Sequence, residues 1–117
     1  MVMINVAKEF TETPGARYKT QGAFSGEEFR DDILYPKFIE SITNNEKLVV
    51  NLDGGYGYGS SFLEEAFGGL VRKLKKEKNS HYNDVKNIEI ISDDNIVWID
   101  KIKTYIDDEI KAVKGGK

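Results

Sequence analysis

The sequence contains no cysteine, one histidine, two prolines and one tryptophan among its 117 residues. Without cysteine there is no disulfide and no thiolate metal site, and one imidazole cannot build a histidine-rich metal centre. No apolar run approaches the about 20 residues that cross a bilayer, and the first residues lack the basic stretch of a signal peptide. These absences predict a cytoplasmic protein with no metal, no bound cofactor and no membrane segment.

An excess of positive charge is also missing. The formal net charge is −3, and charged residues make up 32% of the chain beside 39% hydrophobic residues. A mildly acidic chain has no general attraction for phosphate backbones, so nucleic acid is not an expected partner. The composition is typical of a folded globular protein, and the length suits one domain spanning 1–117.

Short apolar runs separated by turn residues predict about four strands. One of them is uncertain from the pattern alone, because its residues fit a short strand or a loop equally well. The predicted strands are 3–10, 16–22 (the strand or loop), 48–52 and 88–91. Helices alternate with them, which favours an α/β domain with a mixed sheet and helices packed on it.

Capping residues and apolar spacing predict three main helices, near residues 26–44, 60–76 and 94–113. Ser25 and Glu28 form a capping box at the first of them. Pro36 interrupts that helix and predicts a kink or a restart, because proline lacks an N–H and clashes with the preceding turn. The last helix carries an apolar stripe that should bury Ile102 and Ile106.

The most unusual segment is a glycine-rich loop between a strand and a helix. It runs through Asp53, Gly54, Gly55, Tyr56, Gly57, Tyr58 and Gly59 to Ser60 and Ser61. So many glycines indicate a turn with positive φ or a close approach of the backbone to something else. The helix that follows offers free N–H groups and a positive dipole end, which can bind an anion or a phosphoserine. A structural alternative is a capping box formed by Ser61 with Glu64.

Other candidate residues each have two interpretations. Arg17 follows a Pro-Gly turn and either reaches a ligand or pairs with surface carboxylates. Glu64 and Glu65 are adjacent and do not face each other on a helix, which favours a cap and a surface residue over an acid–base pair. Tyr56 and Tyr58 either contact a partner or fold back onto the core. No arrangement of nucleophile, base and orienting group emerges, so no catalytic residue is predicted.

Three segments resemble the STAS-like family of unknown function, named after sulfate transporters and anti-sigma-factor antagonists. They are Pro14–Tyr18, Gly22–Arg30 and, most specifically, Leu52–Gly54 followed by Gly59–Gly68. In bacterial members of the related antagonists, a partner kinase phosphorylates a serine at the start of a helix. That serine corresponds to Ser60. Gly59 stands where the antagonists have aspartate, and Phe62 where they have glycine.

The resemblance implies a STAS-like domain that acts as a non-catalytic regulatory module. Its expected partner is a protein, an ATP-binding kinase-like regulator, and Ser60 is the expected phosphorylation site. The residues expected to bind the partner or an anion are Arg17, Asp53, Gly54, Tyr56, Gly57, Tyr58, Gly59, Ser60 and Ser61. Two alternatives stay open: a sensor of a small anion or nucleotide at the same helix start, and a small enzyme or enzyme subunit that uses Glu64, Glu65 or Arg17.

Overall fold

Three strands and four helices organise the residues that the computed structural model describes, 1–112. In chain order they are β1 (Val2–Asn5), α1 (Val6–Glu9), α2 (Gly26–Phe29, Arg30–Leu34 and Tyr35–Thr43), β2 (Leu48–Asn51), α3 (Ser60–Leu63, Glu64–Gly68 and Gly69–Lys76), β3 (Glu89–Ile91) and α4 (Val97–Lys111). Short 3-10 helices occupy Lys19–Gln21 and Ser80–Asn87. The predicted end of the last helix, at residue 113, lies outside the described residues.

The sheet has the order β1-β2-β3, and both strand pairs are parallel. Parallel neighbours require a crossover connection, which α2 supplies between β1 and β2 and α3 between β2 and β3. Within residues 1–112, the expectation of a mixed sheet of about four strands is therefore wrong. The sheet has three strands, and all of them run the same way.

One segment accounts for the missing strand, and a second shortens the first strand. Residues 16–22 contain the 3-10 helix Lys19–Gln21 and no strand. The first strand stops at Asn5, because the Asn5 side chain accepts a hydrogen bond from the backbone N–H of Lys8 at 3.0 Å and caps α1. The apolar spacing of Val6 and Phe10 fits a helical turn as well as it fits alternation.

The core lies between one face of the sheet and the helices. Ile4, Val50 and Ile90 share a register row and are 0%, 0% and 9% exposed. The predicted apolar stripe of α4 is confirmed, since Ile102 is 0% exposed and Ile106 is 3% exposed. Among the described residues no helix has the length and apolar character needed to cross a membrane.

Both long crossover helices contain a π turn. It spans Arg30–Leu34 in α2 and Glu64–Gly68 in α3. In α2, the N–H of Tyr35 donates to the carbonyl of Arg30, and Pro36, which has no N–H to donate, follows at once. The backbone stays helical through the proline, and regular α-helix resumes at Tyr35 with Pro36 in its first turn, so the predicted interruption coincides with this π turn.

Candidate functional site

The glycine-rich loop, residues 53–59, leaves the carboxyl end of β2 and leads into α3. The Asp53 carboxylate accepts hydrogen bonds from the backbone N–H groups of Asp93 and Asp94, at 3.0 and 2.8 Å. The N–H of Gly54 donates in return to the Asp94 carboxylate at 3.1 Å. Asp53 thus ties the loop after β2 to the turn after β3. Both of its oxygens are used for that purpose, so its side chain supports the loop from within.

Glycine is required in this loop by the backbone. Gly54 and Gly57 have φ values of 100° and 127°, which side chains rarely adopt. Gly55 lies so close to the carbonyl oxygen of Glu12 that a Cβ atom would approach it to 2.9 Å. Both predicted reasons for the glycines, positive φ and close approach, therefore apply here. Neither of them needs a ligand.

The two loop tyrosines take opposite directions. Tyr56 is 85% exposed. Tyr58 turns inward, where its hydroxyl donates to the carbonyl oxygen of Leu52 at 3.0 Å and its ring meets the Trp98 ring edge-on at 4.9 Å. Burial raises the pKa of the Tyr58 phenol far above its usual value, with a further contribution from the charge of Asp53. Of the two, Tyr56 is the side chain that a partner can reach.

The serine pair opens α3. Gly59 is the N-cap residue, and it has no side chain to accept a hydrogen bond from the first turn. Ser60 and Ser61 are both exposed, whereas Phe62 is 1% exposed in the core. The predicted capping box of Ser61 with Glu64 is wrong, because the Glu64 carboxylate is bonded to two arginines. The start of the helix is therefore open to solvent and lacks a side-chain cap.

All three arginines of the chain converge on the second turn of α3. Arg17 hydrogen-bonds Glu64 and lies 3.4 Å from Glu65. Further contacts join Arg30 Nη1 to Glu65 Oε2 at 2.5 Å and Arg72 Nη1 to Glu64 Oε2 at 2.7 Å. The ion cluster, as we call this group, comprises Arg17, Arg30, Arg72, Glu64, Glu65 and Glu109, which also binds Arg72.

The ion cluster corrects two predictions. Glu65 is not a surface residue, because its side chain is only 9% exposed. Arg17 pairs with carboxylates, as the second of its two interpretations held. Burial alone would raise the pKa of Glu64, but hydrogen bonds from Arg72 and Arg17 outweigh it and lower that pKa. Glu64 and Glu65 are thus held by cations, and neither is placed as a free base.

Two glycines make room for the ion cluster. A Cβ atom on Gly68 would come within 2.6 Å of the Glu64 carboxylate, and one on Gly69 within 2.8 Å of the Arg30 guanidinium. Both residues are buried inside α3. Glycine inside a helix costs about 1 kcal/mol relative to alanine. Because Gly68 and Gly69 have no side chains, the Glu64 carboxylate and the Arg30 guanidinium can approach the helix backbone here.

The strand, the glycine-rich loop and the exposed serine pair at a helix start can now be set beside known families. The family model of the STAS-like domain of unknown function matches residues 25–95. The chain belongs to this family. The matched part of the STAS-like domain contains the whole loop, Ser60, Glu64 and Glu65, while Arg17 and α4 with Glu109 lie outside it. No match was found among curated proteins or among solved structures.

Proposed function

We propose that this STAS-like domain is a non-catalytic regulatory module that binds a protein partner through the glycine-rich loop and the first turn of α3. The observation that carries the proposal is the exposure of Tyr56, Ser60 and Ser61, while hydrogen bonds within the protein hold the neighbouring Asp53 and Tyr58. Exposed aromatic side chains on a loop held by a rigid scaffold are common at binding surfaces. Asp53 and Tyr58 hold the loop in place through their hydrogen bonds to the backbone.

We further propose that phosphorylation of Ser60 regulates binding and that the partner is an ATP-binding kinase-like regulator. Ser60 is the first residue of α3, where backbone N–H groups and the helix dipole favour negative charge. A phosphate adds about −1.5 to −2 charges there, and the fold should tolerate it. Docking should not, because Ser60 belongs to the segment proposed to bind, and a dianion there must lose its water when the partner binds.

The first experiment identifies the partner. A photo-crosslinking amino acid replaces Tyr56 in cells, and the same residue at Asn44 serves as the control. Asn44 is exposed and lies between α2 and β2, before the amino end of the strand that the glycine-rich loop follows. We expect a protein of kinase-like sequence to crosslink at position 56 only. Equal capture at both positions, or capture of no protein, would contradict the proposal.

The second experiment measures the dissociation constant of the purified pair. Ser60→Ala should bind as the unsubstituted domain does, and Ser60→Asp should bind about tenfold more weakly or worse. Both should keep their stability within about 0.5 kcal/mol, as surface substitutions usually do. Ser80→Asp is the matched control, since Ser80 is an exposed serine that opens the 3-10 helix after α3. Equal binding by all four proteins would rule out a switch at Ser60.

The same preparations test the sensor alternative, which draws on the uncapped start of α3. Melting temperatures are recorded with inorganic phosphate and with ATP. A ligand that binds only the folded state raises stability by RT ln(1 + [L]/Kd). We expect no such rise for a protein-binding module. A rise that Ser60→Asp abolishes would favour the anion or nucleotide sensor instead.

A further inference from the structure

Three of the most exposed apolar side chains lie in the segments that follow the carboxyl ends of β2 and β3. We call this end of the sheet the carboxyl edge. Tyr56, Ile96 and Val97 are 85%, 69% and 54% exposed. Among the other large hydrophobic side chains of residues 1–112, only the terminal Met1 is more exposed than Val97, and Tyr18 follows at 46%. Isolated exposed apolar residues need no explanation, but several at one place indicate an interaction site.

Hydrogen bonds and packing bring these side chains to the same surface. The Asp53 carboxylate binds the backbone of Asp93 and Asp94, so the loop that carries Tyr56 is fixed to the turn after β3. A Cβ atom on Gly57 would lie 3.7 Å from the Trp98 ring, which places the loop against the start of α4. Ile96 and Val97 immediately precede that tryptophan and belong to the same edge.

Carboxylates surround the apolar group. Asp93 and Asp94 are exposed in the turn after β3, just before Ile96. Asp100 is exposed in the first turn of α4, three residues after Val97 and therefore on the same helix face. Lys101 is also exposed, four residues after Val97 on that face. Three carboxylates and one ammonium group therefore accompany the apolar side chains, and the balance is negative.

We infer that this edge is a docking surface for a protein with an apolar patch surrounded by lysine or arginine. We call it the acidic-rimmed surface and define it as Tyr56, Ile96, Val97, Asp93, Asp94 and Asp100. The inference rests on the proposed function and names the chemistry of its partner. Complementary charge at a rim steers association and fixes orientation, while buried aromatic and aliphatic side chains supply most of the affinity.

The rim charges argue against other occupants. Anionic lipid headgroups and nucleic-acid phosphates would be repelled by three carboxylates. A second copy of the chain docking by two-fold symmetry would bring the acidic rims of both copies together, which is unfavourable. A basic protein surface meets neither objection. The phosphate proposed at Ser60 differs from the rim aspartates, because it would be a dianion on the first turn of α3, which the proposed function places inside the contact.

The test uses the full chain with a photo-crosslinking residue at position 96. The captured protein is identified and purified, and its dissociation constant is measured at 50 and 300 mM NaCl. Ile96→Ser with Val97→Ser should raise the constant about tenfold or more, as loss of interface anchors does. Asp93→Asn with Asp100→Asn should raise it up to about fivefold at the lower salt and less at the higher salt.

Matched controls separate local from general effects. Asp107→Asn with Asp108→Asn removes two exposed charges further along α4 and should leave the constant unchanged. Met3→Ser removes an exposed apolar side chain on β1 and should do the same. All variants should have the same melting temperature as the unsubstituted protein, because the altered side chains are exposed.

Several results would overturn the inference. In the crosslinking experiment, these are capture of a second copy of the chain or of no protein. In the binding measurements, they are an affinity that increases with salt and full affinity in the Ile96 and Val97 double variant. Tyr56→Ala distinguishes the two proposals. Weaker binding by Tyr56→Ala with full affinity in the double variant would leave the loop as a binding site and remove the acidic-rimmed surface. Full affinity in both would remove the proposed function as well.

Discussion

The first two turns of α3 carry similar polar pairs in opposite environments. Ser60 and Ser61 are exposed and have no side-chain cap before them. One turn later, Glu64 and Glu65 are held by three arginines, and the Glu65 side chain is 9% exposed. The helix itself does not create the difference. It arises because Arg17 and Arg30 reach Glu64 and Glu65 from other parts of the chain, while the side chains of Ser60 and Ser61 face solvent.

This comparison separates a turn that contributes to stability from the turn at which we propose binding. The second turn is fixed by charged hydrogen bonds and by the packing of α4 behind it. The first turn can therefore remain open without loosening the fold. We expect substitutions at the second turn to change the free energy of unfolding and substitutions at the first turn to leave it almost unchanged. Four experiments test that division, in order of decreasing expected effect.

Ile106→Ala removes packing behind the second turn. Ile106 is 3% exposed on α4, which packs against the π turn of α3. Deleting a buried isoleucine side chain to alanine leaves a cavity and should cost about 2–5 kcal/mol. Urea denaturation measures the change, with the exposed Thr104→Ala on the same helix as control. A loss within about 0.5 kcal/mol would mean that α4 does not brace this turn.

Glu65→Gln removes the charge that faces Arg30 at the centre of the ion cluster. Arg30 is 14% exposed and would keep only Asp31 as a carboxylate partner. Leaving a buried charge poorly paired should cost about 2–4 kcal/mol in the free energy of unfolding. Glu89→Gln is the control, because its pair with Lys47 is exposed and should contribute little. Equal effects of the two substitutions would show that the ion cluster does not stabilise the second turn.

The contribution of Glu64 to the free energy of unfolding should depend on pH. Its pKa is lowered in the folded state, so its contribution is complete above the pKa of the unfolded chain, about 4.3, and is lost as pH falls through the folded value. Unfolding of the unsubstituted protein and of Glu64→Gln should therefore differ at pH 7 and converge at acid pH. Glu40→Gln, at an exposed site on α2, gives the baseline. A gap that widens as pH falls would contradict the assignment.

Gly59→Asp should have the smallest effect and the opposite sign. Gly59 has φ −82° and ψ 152°, and a Cβ atom there would meet nothing within 4 Å. Aspartate can therefore cap α3 by accepting a first-turn N–H, which should add a few tenths to about 1 kcal/mol. Gly59→Ala separates this cap from the stiffer backbone. If alanine stabilises the protein as much as aspartate does, the gain comes from the backbone, and a side-chain cap adds nothing to the stability of the first turn.

The predictable parts of the structure are those that depend on nearby residues. Ser25 does accept a hydrogen bond from the backbone of Glu28, and α3 does begin at Ser60. The stripe with Ile102 and Ile106 is buried as expected, because helical spacing over many residues is a strong signal. The end of the first strand was harder to predict. The segment has few apolar residues, and their spacing fits both a strand and a helix.

The ion cluster was not predictable from local pattern. Arg17 and Arg30 lie 47 and 35 residues away from the glutamates that they bind, and no spacing rule covers such distances. Two weak signals were present: only three arginines among 17 basic residues, and Gly68-Gly69 directly after the glutamates. The different directions of Tyr56 and Tyr58 also escaped prediction. Both flank Gly57, whose φ of 127° is known only from the structure.

The all-parallel sheet constrains the order in which the chain can fold during synthesis. Val2 pairs with Leu48 and Val49 with Glu89, so each strand pairing closes a loop of about 40 residues or more. No hairpin is available to nucleate the sheet early. The strand made first can pair only after residues 48–51 have been made, and the sheet is complete only after residue 91 has left the ribosome. Until β2 and α2 have been made, the apolar side chains of β1 stay exposed on the nascent chain, and such exposed surface favours aggregation.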